Sequence, residues 1–232
     1  MKQMKIGIMQ PYFLPYIGYF QLIKAVDQYI VCDDLNYINN GWINRNNILI
    51  GGEKRLCTIP LKKASQNKLI NQIEIVDDFS RLLKTVEVNY AKAPYFKDVI
   101  QLVERMFSYK NRCLSNFVLN SIKEVLQYLG VSTPIIISST LDKDCSLKGK
   151  DKIINICKGL GAEIYINAIG GQKLYNRAEF AAQGIELKFL ETELVPYKQF
   201  DKEFIPMLSI LDIMMFNSVD EINLMLGNYI LI

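Results

Sequence analysis

Apolar positions change period twice within the first forty residues. Ile6, Ile8 and Met9 form a short apolar run that predicts a strand beginning at Lys5. Gln10 to Pro15 then holds Pro11 and Pro15, and proline fixes φ and lacks an N–H, so this stretch is a loop rather than a continuing central strand. From Ile17 to Val26 the apolar residues Ile17, Phe20, Leu22, Ile23 and Val26 recur at spacings of about three and four, which predicts an amphipathic helix. Gly18 within it leaves room for a neighbouring backbone or a ligand. Tyr29 to Cys32 predicts a second buried strand that finishes at Asp33 and Asp34. A polar stretch with a turn at Asn39–Gly41 leads into alternating segments at 48–50 and 55–61, joined by Gly51-Gly52, which read as a small antiparallel flap over residues 37–61.

Ile70 to Val76 alternates as one more strand. Asp77-Asp78 can cap a helix over 79–90, and two further helical patterns cover 94–109 and 115–129, the last stopped by Gly130. Residues 79–129 are therefore expected to form a helical insertion. Strand and helix then alternate. A strand at 135–137 ends in Ser138-Ser139-Thr140, a helix covers 149–160, and a strand covers 163–166. Gly170 to Asn176 follows that strand, and a short helix at 178–183 and a strand at 185–190 come next. Asp212 sits among bulky apolar residues of the run 209–216, where an aspartate is either bonded internally or aimed at a site, and Ser218 with Glu221 makes a capping box. Repeated βα units imply a parallel sheet covered on both faces. The expected fold class is α/β: one domain over 1–232 with a mostly parallel, Rossmann-like sheet, a small antiparallel β flap and a helical insertion.

Composition narrows the chemistry. The 232 residues contain no histidine, which removes Ser-His-Asp and Cys-His nucleophilic systems, histidine general bases and the commonest zinc ligand. Proton transfer falls to Asp, Glu, Lys, Tyr, Cys or a bound substrate. Five widely spaced cysteines show neither a disulfide framework nor a CxxC metal site and suit a reducing cytoplasm, and no residues are singled out as a metal-ligand motif. A net charge of +3 is too mild to announce a DNA-binding surface, and no apolar stretch approaches the length of a membrane span. The cofactor and the oligomeric state are left open.

Open α/β sheets bind ligands beyond the carboxyl ends of their strands, and this pattern places Gln10, Pro11, Tyr12, Asp33 and Asp34 at two such ends. Either aspartate could act as a base or hold a metal ion, or both could simply cap a turn. Trp42, Asn44, Arg45 and Asn46 crowd polar groups around the only tryptophan. Indole stacks on sugar or base rings, guanidinium forks onto carboxylate or phosphate, and amides offer both a donor and an acceptor. The paired glycines 170 and 171 can present N–H groups to an anion, with Lys173 and Tyr175 beside them. The expectation is one pocket, with Arg45 held against Asp33 or Asp34 because two adjacent carboxylates are costly without a cation.

Several runs resemble one family. MQPYFLPYIGYFQLI from Met9, the DD-x-x-Y of Asp33 to Tyr37, GWINRN from Gly41, YAKAPYF from Tyr90, Ser138-Ser139 and SILDIM from Ser209 are similar to the signature of the WbqC-like family. That family occurs in bacterial gene clusters for O-antigen and related surface polysaccharides. Tyr19 and Tyr37, inside these runs, join the candidate substrate contacts. The resemblance implies a transferase that moves an acyl or aminoacyl group, glycine in the role suggested for some members, onto a sugar or nucleotide-sugar precursor. Two alternatives stand beside it. One is a nucleotidyl or adenylate-forming enzyme, although Tyr16-Ile17-Gly18-Tyr19 stands where such enzymes need a histidine motif. The other is a non-catalytic ligand-binding or scaffold protein in a biosynthetic complex.

Overall fold

Short runs of Ile, Val and Tyr with both faces apolar are what a buried parallel sheet requires, and they form the centre of this chain. A computed structural model describes residues 3–200 and 203–232. In chain order the elements are β1 (Lys5–Met9), α1 (Ile17–Ala25), β2 (Gln28–Val31), β3 (Arg45–Ile50), β4 (Glu53–Thr58), β5 (Leu61–Lys62) and β6 (Glu74–Ile75). They continue with α2 (Ser80–Tyr90), α3 (Phe96–Phe107), α4 (Leu114–Tyr128), β7 (Ile135–Ile137), α5 (Gly149–Gly159) and β8 (Ile164–Ala168). The last are α6 (Arg177–Ala181), β9 (Glu186–Thr192), α7 (Ile210–Phe216), α8 (Val219–Met225) and β10 (Tyr229–Leu231).

The main sheet has the order β10-β9-β8-β1-β2-β7. Every neighbouring pair is parallel except β9 and β10, so the fold is α/β with a mostly parallel sheet. Successive strand residues point to opposite faces. Tyr29 and Val31 therefore pack with α1, the three helices α2–α4 and the C-terminal helices, whereas Ile30 and Cys32 pack with α5 and α6 on the other side. Gly7 is needed in β1 because a Cβ there would stand 3.0 Å from the ring of Tyr29.

One expected element differs and one strand is new. The segment 70–76 is a tight turn over Ile70–Gln72 followed by only two strand residues, paired antiparallel to β5. Its alternation is overridden because Asn71 bonds Asp33 twice, N–H to the main-chain carbonyl at 3.0 Å and Nδ2 to Oδ2 at 3.1 Å. β10 was not anticipated. It is three residues long with Ile230 and Leu231 largely exposed, and pairing with the edge of β9 rather than burial makes it a strand. No helix among the described residues is long and apolar enough to cross a membrane.

Candidate functional site

Starting from β7, the sheet runs third, second, first, fourth, fifth and sixth in chain order, so the direction of winding reverses between β1 and β8. Two loops leaving such a pair in opposite directions open a crevice at their carboxyl ends. A cleft of about 370 Å³ lies there. Met9, Gln10 and Tyr12 line it from β1, Cys32 from β2, Asn167 and the paired glycines from β8, with Leu174 and Tyr175 at the end of the glycine turn. Gly171 has a steric reason to be glycine, since a Cβ would fall 2.3 Å from the Asn167 amide. Burial raises the Tyr12 phenol above its ordinary value, with Tyr16 adding to the effect, and burial likewise raises Tyr175. Both hydroxyls are donors at neutral pH. Burial pushes the Cys32 thiol up to about 11, which makes it a poor nucleophile.

The acidic pair sits behind one wall of this cleft. Asp33 accepts from the Ser139 N–H (3.0 Å) and hydroxyl (2.7 Å) and from Asn71 Nδ2 (3.1 Å), so both of its oxygens are occupied. Asp34 Oδ2 lies 3.0 Å from the ammonium groups of both Lys143 and Lys152, whose side chains are almost wholly buried. Lys152 also bonds the Asp34 carbonyl at 3.1 Å, and Lys143 bonds that of Ser138. Burial alone would push the Asp34 carboxyl up. The neighbouring Ser138 hydroxyl and the two lysines more than offset this and hold it below its ordinary value, although that hydroxyl and Asp34 Oδ1 make no hydrogen bond of normal geometry. The cation expected at the pair, Arg45, is elsewhere. Its guanidinium donates to the Gly41 carbonyl at 2.9 Å and to the side chain and carbonyl of Asn40, closing its own turn. Residues four and five positions away supply its acceptors across a short loop, whereas the lysines reach Asp34 from the β7–α5 connection and from α5.

The Trp42 turn borders a second cleft, of about 340 Å³, lined by Tyr12, Pro15, Tyr16, Trp42, Asn47 and Lys54 among others. Tyr12 is a wall of both clefts. The single pocket expected from the sequence is thus divided. Gln10, Tyr12 and Tyr175 share the first cleft, Tyr12, Trp42 and Asn46 border the second, and Asp33 and Asp34 lie in a buried cluster whose neighbours Cys32, Leu35 and Ile153 line the first. Several candidates hold structure. Tyr19, only 3% exposed, donates to the Gln10 carbonyl at 3.0 Å, and Tyr37 donates to Asn44 Oδ1 at 2.8 Å. Asn44 donates on to the Ile59 carbonyl at 2.8 Å, and Asn46 Nδ2 bridges the carbonyls of Phe13 (3.2 Å) and Leu14 (2.9 Å). Pro11 is buried and Lys173 is exposed on the glycine turn. Gly18 faces protein, because a Cβ there would meet Thr192 and Tyr16 at 2.4 Å.

Lys143, Lys152, Ser139, Asn71 and Asn167 were absent from the expected site. Lys152 had a signal, since it occupies the stripe of Ile153, Ile156 and Cys157 on α5, where a lysine needs a buried partner. The others are joined to Asp33, Asp34 or the cleft only through long-range contacts. Among the described residues no group of three or more histidine, cysteine, aspartate or glutamate side chains is placed to hold a metal ion.

The fold and cleft define the chain as a doubly wound α/β protein with a ligand-sized crevice at its switch point. The family model for the WbqC-like protein family matches residues 10–224, and the chain belongs to that family. It is also 26% identical over 217 residues to "Uncharacterized protein Rv1507c" of Mycobacterium tuberculosis (strain ATCC 25618 / H37Rv), covering 90% of this chain and 92% of the relative. No solved structure matches the chain.

Proposed function

We propose that this protein is a cytoplasmic transferase that moves a small acyl or aminoacyl group, glycyl among them, onto a sugar or nucleotide-sugar precursor of a bacterial surface polysaccharide. The observation that carries the reading is the position of the first cleft, at the switch point of the sheet with Tyr12 shared between it and an aromatic second cleft. Acyl transfer requires two reactants held side by side, and neighbouring clefts with a common wall suit that requirement. Tyr12 and Tyr175, held protonated, are suited to donate to a carbonyl oxygen as negative charge develops on it during attack. Gln10 and Asn167 supply further polar groups for orientation. The Asp34–Lys143–Lys152 cluster acts in this reading as a brace that fixes the β2 and α5 wall, because a carboxylate tied to two ammonium groups is a weak base.

The test is incubation with nucleotide-linked amino sugars and a panel of donors, glycine with ATP, aminoacyl-tRNA and acyl-CoA, followed by mass spectrometry of the sugar. The expected result is acylated product with one donor, reduced at least 100-fold in Tyr12→Ala. No product with any donor would overturn the reading.

The strand order also favours nucleotide binding and therefore a nucleotidyl or adenylate-forming reading. Tyr19, where a histidine would be needed, is bonded to the Gln10 carbonyl inside the core, which weighs against phosphate chemistry at that position. ATP-dependent pyrophosphate exchange would promote this second reading over the first.

A further inference from the structure

We propose that the Trp42 cleft is a distinct subsite for a pyranose ring carrying an acidic group, with the reacting partner in the switch-point cleft and Tyr12 standing between them. This rests on the reading of the substrate as a sugar precursor and adds which part of it sits where.

Three observations converge. First, the cleft collects Tyr12, Tyr16 and Trp42 around one concavity while the indole remains 46% exposed. The concavity therefore presents ring faces beside hydroxyl and amide groups, which match a sugar, apolar on its C–H faces and polar at its rim.

Second, the main chain that carries these aromatic residues is held in place. The Phe13 N–H bonds the Trp42 carbonyl at 3.2 Å, Arg45 closes the turn before Trp42, and Asn46 ties the flap to the proline loop through Phe13 and Leu14. The C-terminal segment locks both. Ser209 bonds the Leu14 carbonyl through its hydroxyl (2.7 Å) and the Asn47 carbonyl through its N–H (2.8 Å), and the Ile210 N–H bonds the Pro15 carbonyl at 2.9 Å. A cleft whose three walls are cross-linked through main-chain atoms loses little entropy when a ligand enters.

Third, Lys54 is the one charged residue lining the cleft; it donates to the Pro206 carbonyl at 3.3 Å and forms no ion pair among the described residues. A carboxylate or phosphate on the sugar would meet this cation.

Trp42 is the only tryptophan of the chain, so its emission reports this cleft alone. The full chain is titrated with methyl β-glucuronide and methyl β-glucoside, which differ in a single carboxylate. The expected result is a saturable emission change with both and about fivefold tighter binding of the glucuronide, the scale of one partly exposed charge pair. Lys54→Ala should remove that preference and keep glucoside binding. Calorimetry should show Trp42→Ala binding the glucuronide about tenfold more weakly while melting within a few degrees of the parent chain. Tyr175→Ala, which alters the other cleft, should leave the emission titration unchanged. A silent tryptophan with both sugars, calorimetric binding of the glucuronide by Trp42→Ala as tight as by the parent chain, or an emission titration abolished by Tyr175→Ala would each overturn the assignment. An emission response without transfer to any acceptor would remove the transferase reading and leave the subsite. Transfer product with a silent tryptophan would do the reverse.

Discussion

An aspartate gripped by two buried lysines cannot be neutralised without stranding both. Asp34→Asn leaves Lys143 and Lys152 in the interior without their shared anion, and breaking a buried pair in this way costs about 3–5 kcal/mol. Urea unfolding at neutral pH should show a loss of that size. The pH dependence follows from the direction of the shift. The folded carboxyl is held below its ordinary value, so its contribution is fully present above the unfolded value and is lost as pH falls through the folded one. The variant should therefore be less stable than the parent at pH 7 but lose less further stability on acidification. An unchanged acid limb in Asp34→Asn would show that Asp34 carries none of it. At this scale the sequence was only half legible. Asp33-Asp34 at a strand end was visible as chemistry, but a dipeptide does not say which cation answers it.

At the scale of elements, the flap owes its shape to short-range polar bonds. Asn40 adopts φ +61°, a left-handed conformation that asparagine tolerates, and Arg45 bonds the two carbonyls of the turn. Asn44 and Asn46 fill vacancies in the main-chain pattern on either side. Arg45→Ala should accordingly cost about 1–2 kcal/mol and loosen the turn, seen as lower anisotropy of Trp42 emission. Lys62→Ala removes only an exposed, solvent-screened pair with Glu74 and should leave stability unchanged in the same measurement. Equal anisotropy in Arg45→Ala and the parent would show that the guanidinium does not hold Trp42. Element boundaries were legible wherever period and capping agreed, as at the Ser218–Glu221 capping box before α8. They were illegible at 70–76, where one asparagine's tie to Asp33 outweighs alternation.

For the molecule as a whole, Asp212 joins segments far apart in the chain. It accepts from Tyr90 on α2 (2.9 Å), from Tyr197 (2.6 Å) and from Gln199 (2.7 Å), while Tyr90 in turn accepts from the Leu49 N–H of the flap (2.9 Å). Asp212→Ala takes the shared acceptor from the Tyr90 and Tyr197 hydroxyls, while Gln199 keeps the Ile205 carbonyl at 3.2 Å, and should cost about 2–4 kcal/mol, measurable by thermal unfolding. Here the sign runs opposite to that of Asp34. Burial raises the folded Asp212 carboxyl despite its three donors, so its contribution is greatest below the unfolded value and declines as pH rises through the folded one. Stability profiles of Asp34→Asn and Asp212→Ala should consequently diverge from the parent in opposite directions between acid and neutral pH. Parallel profiles would contradict this account.

What the chain determined by itself was local. Apolar periods of two and of three to four, with prolines at 11 and 15, are enough to specify a βαβ beginning, a flap, three helices and a return to alternating units, because each signal acts over a few residues. Tertiary structure decided the partners. The reversal of winding between β1 and β8 brings Gln10 beside Asn167, α5 carries Lys152 to Asp34, and Ser209 closes the proline loop onto the flap. Each joins residues more than a hundred positions apart. No local propensity encodes such pairings, which exist only once the sheet has chosen its strand order and its two faces have been covered.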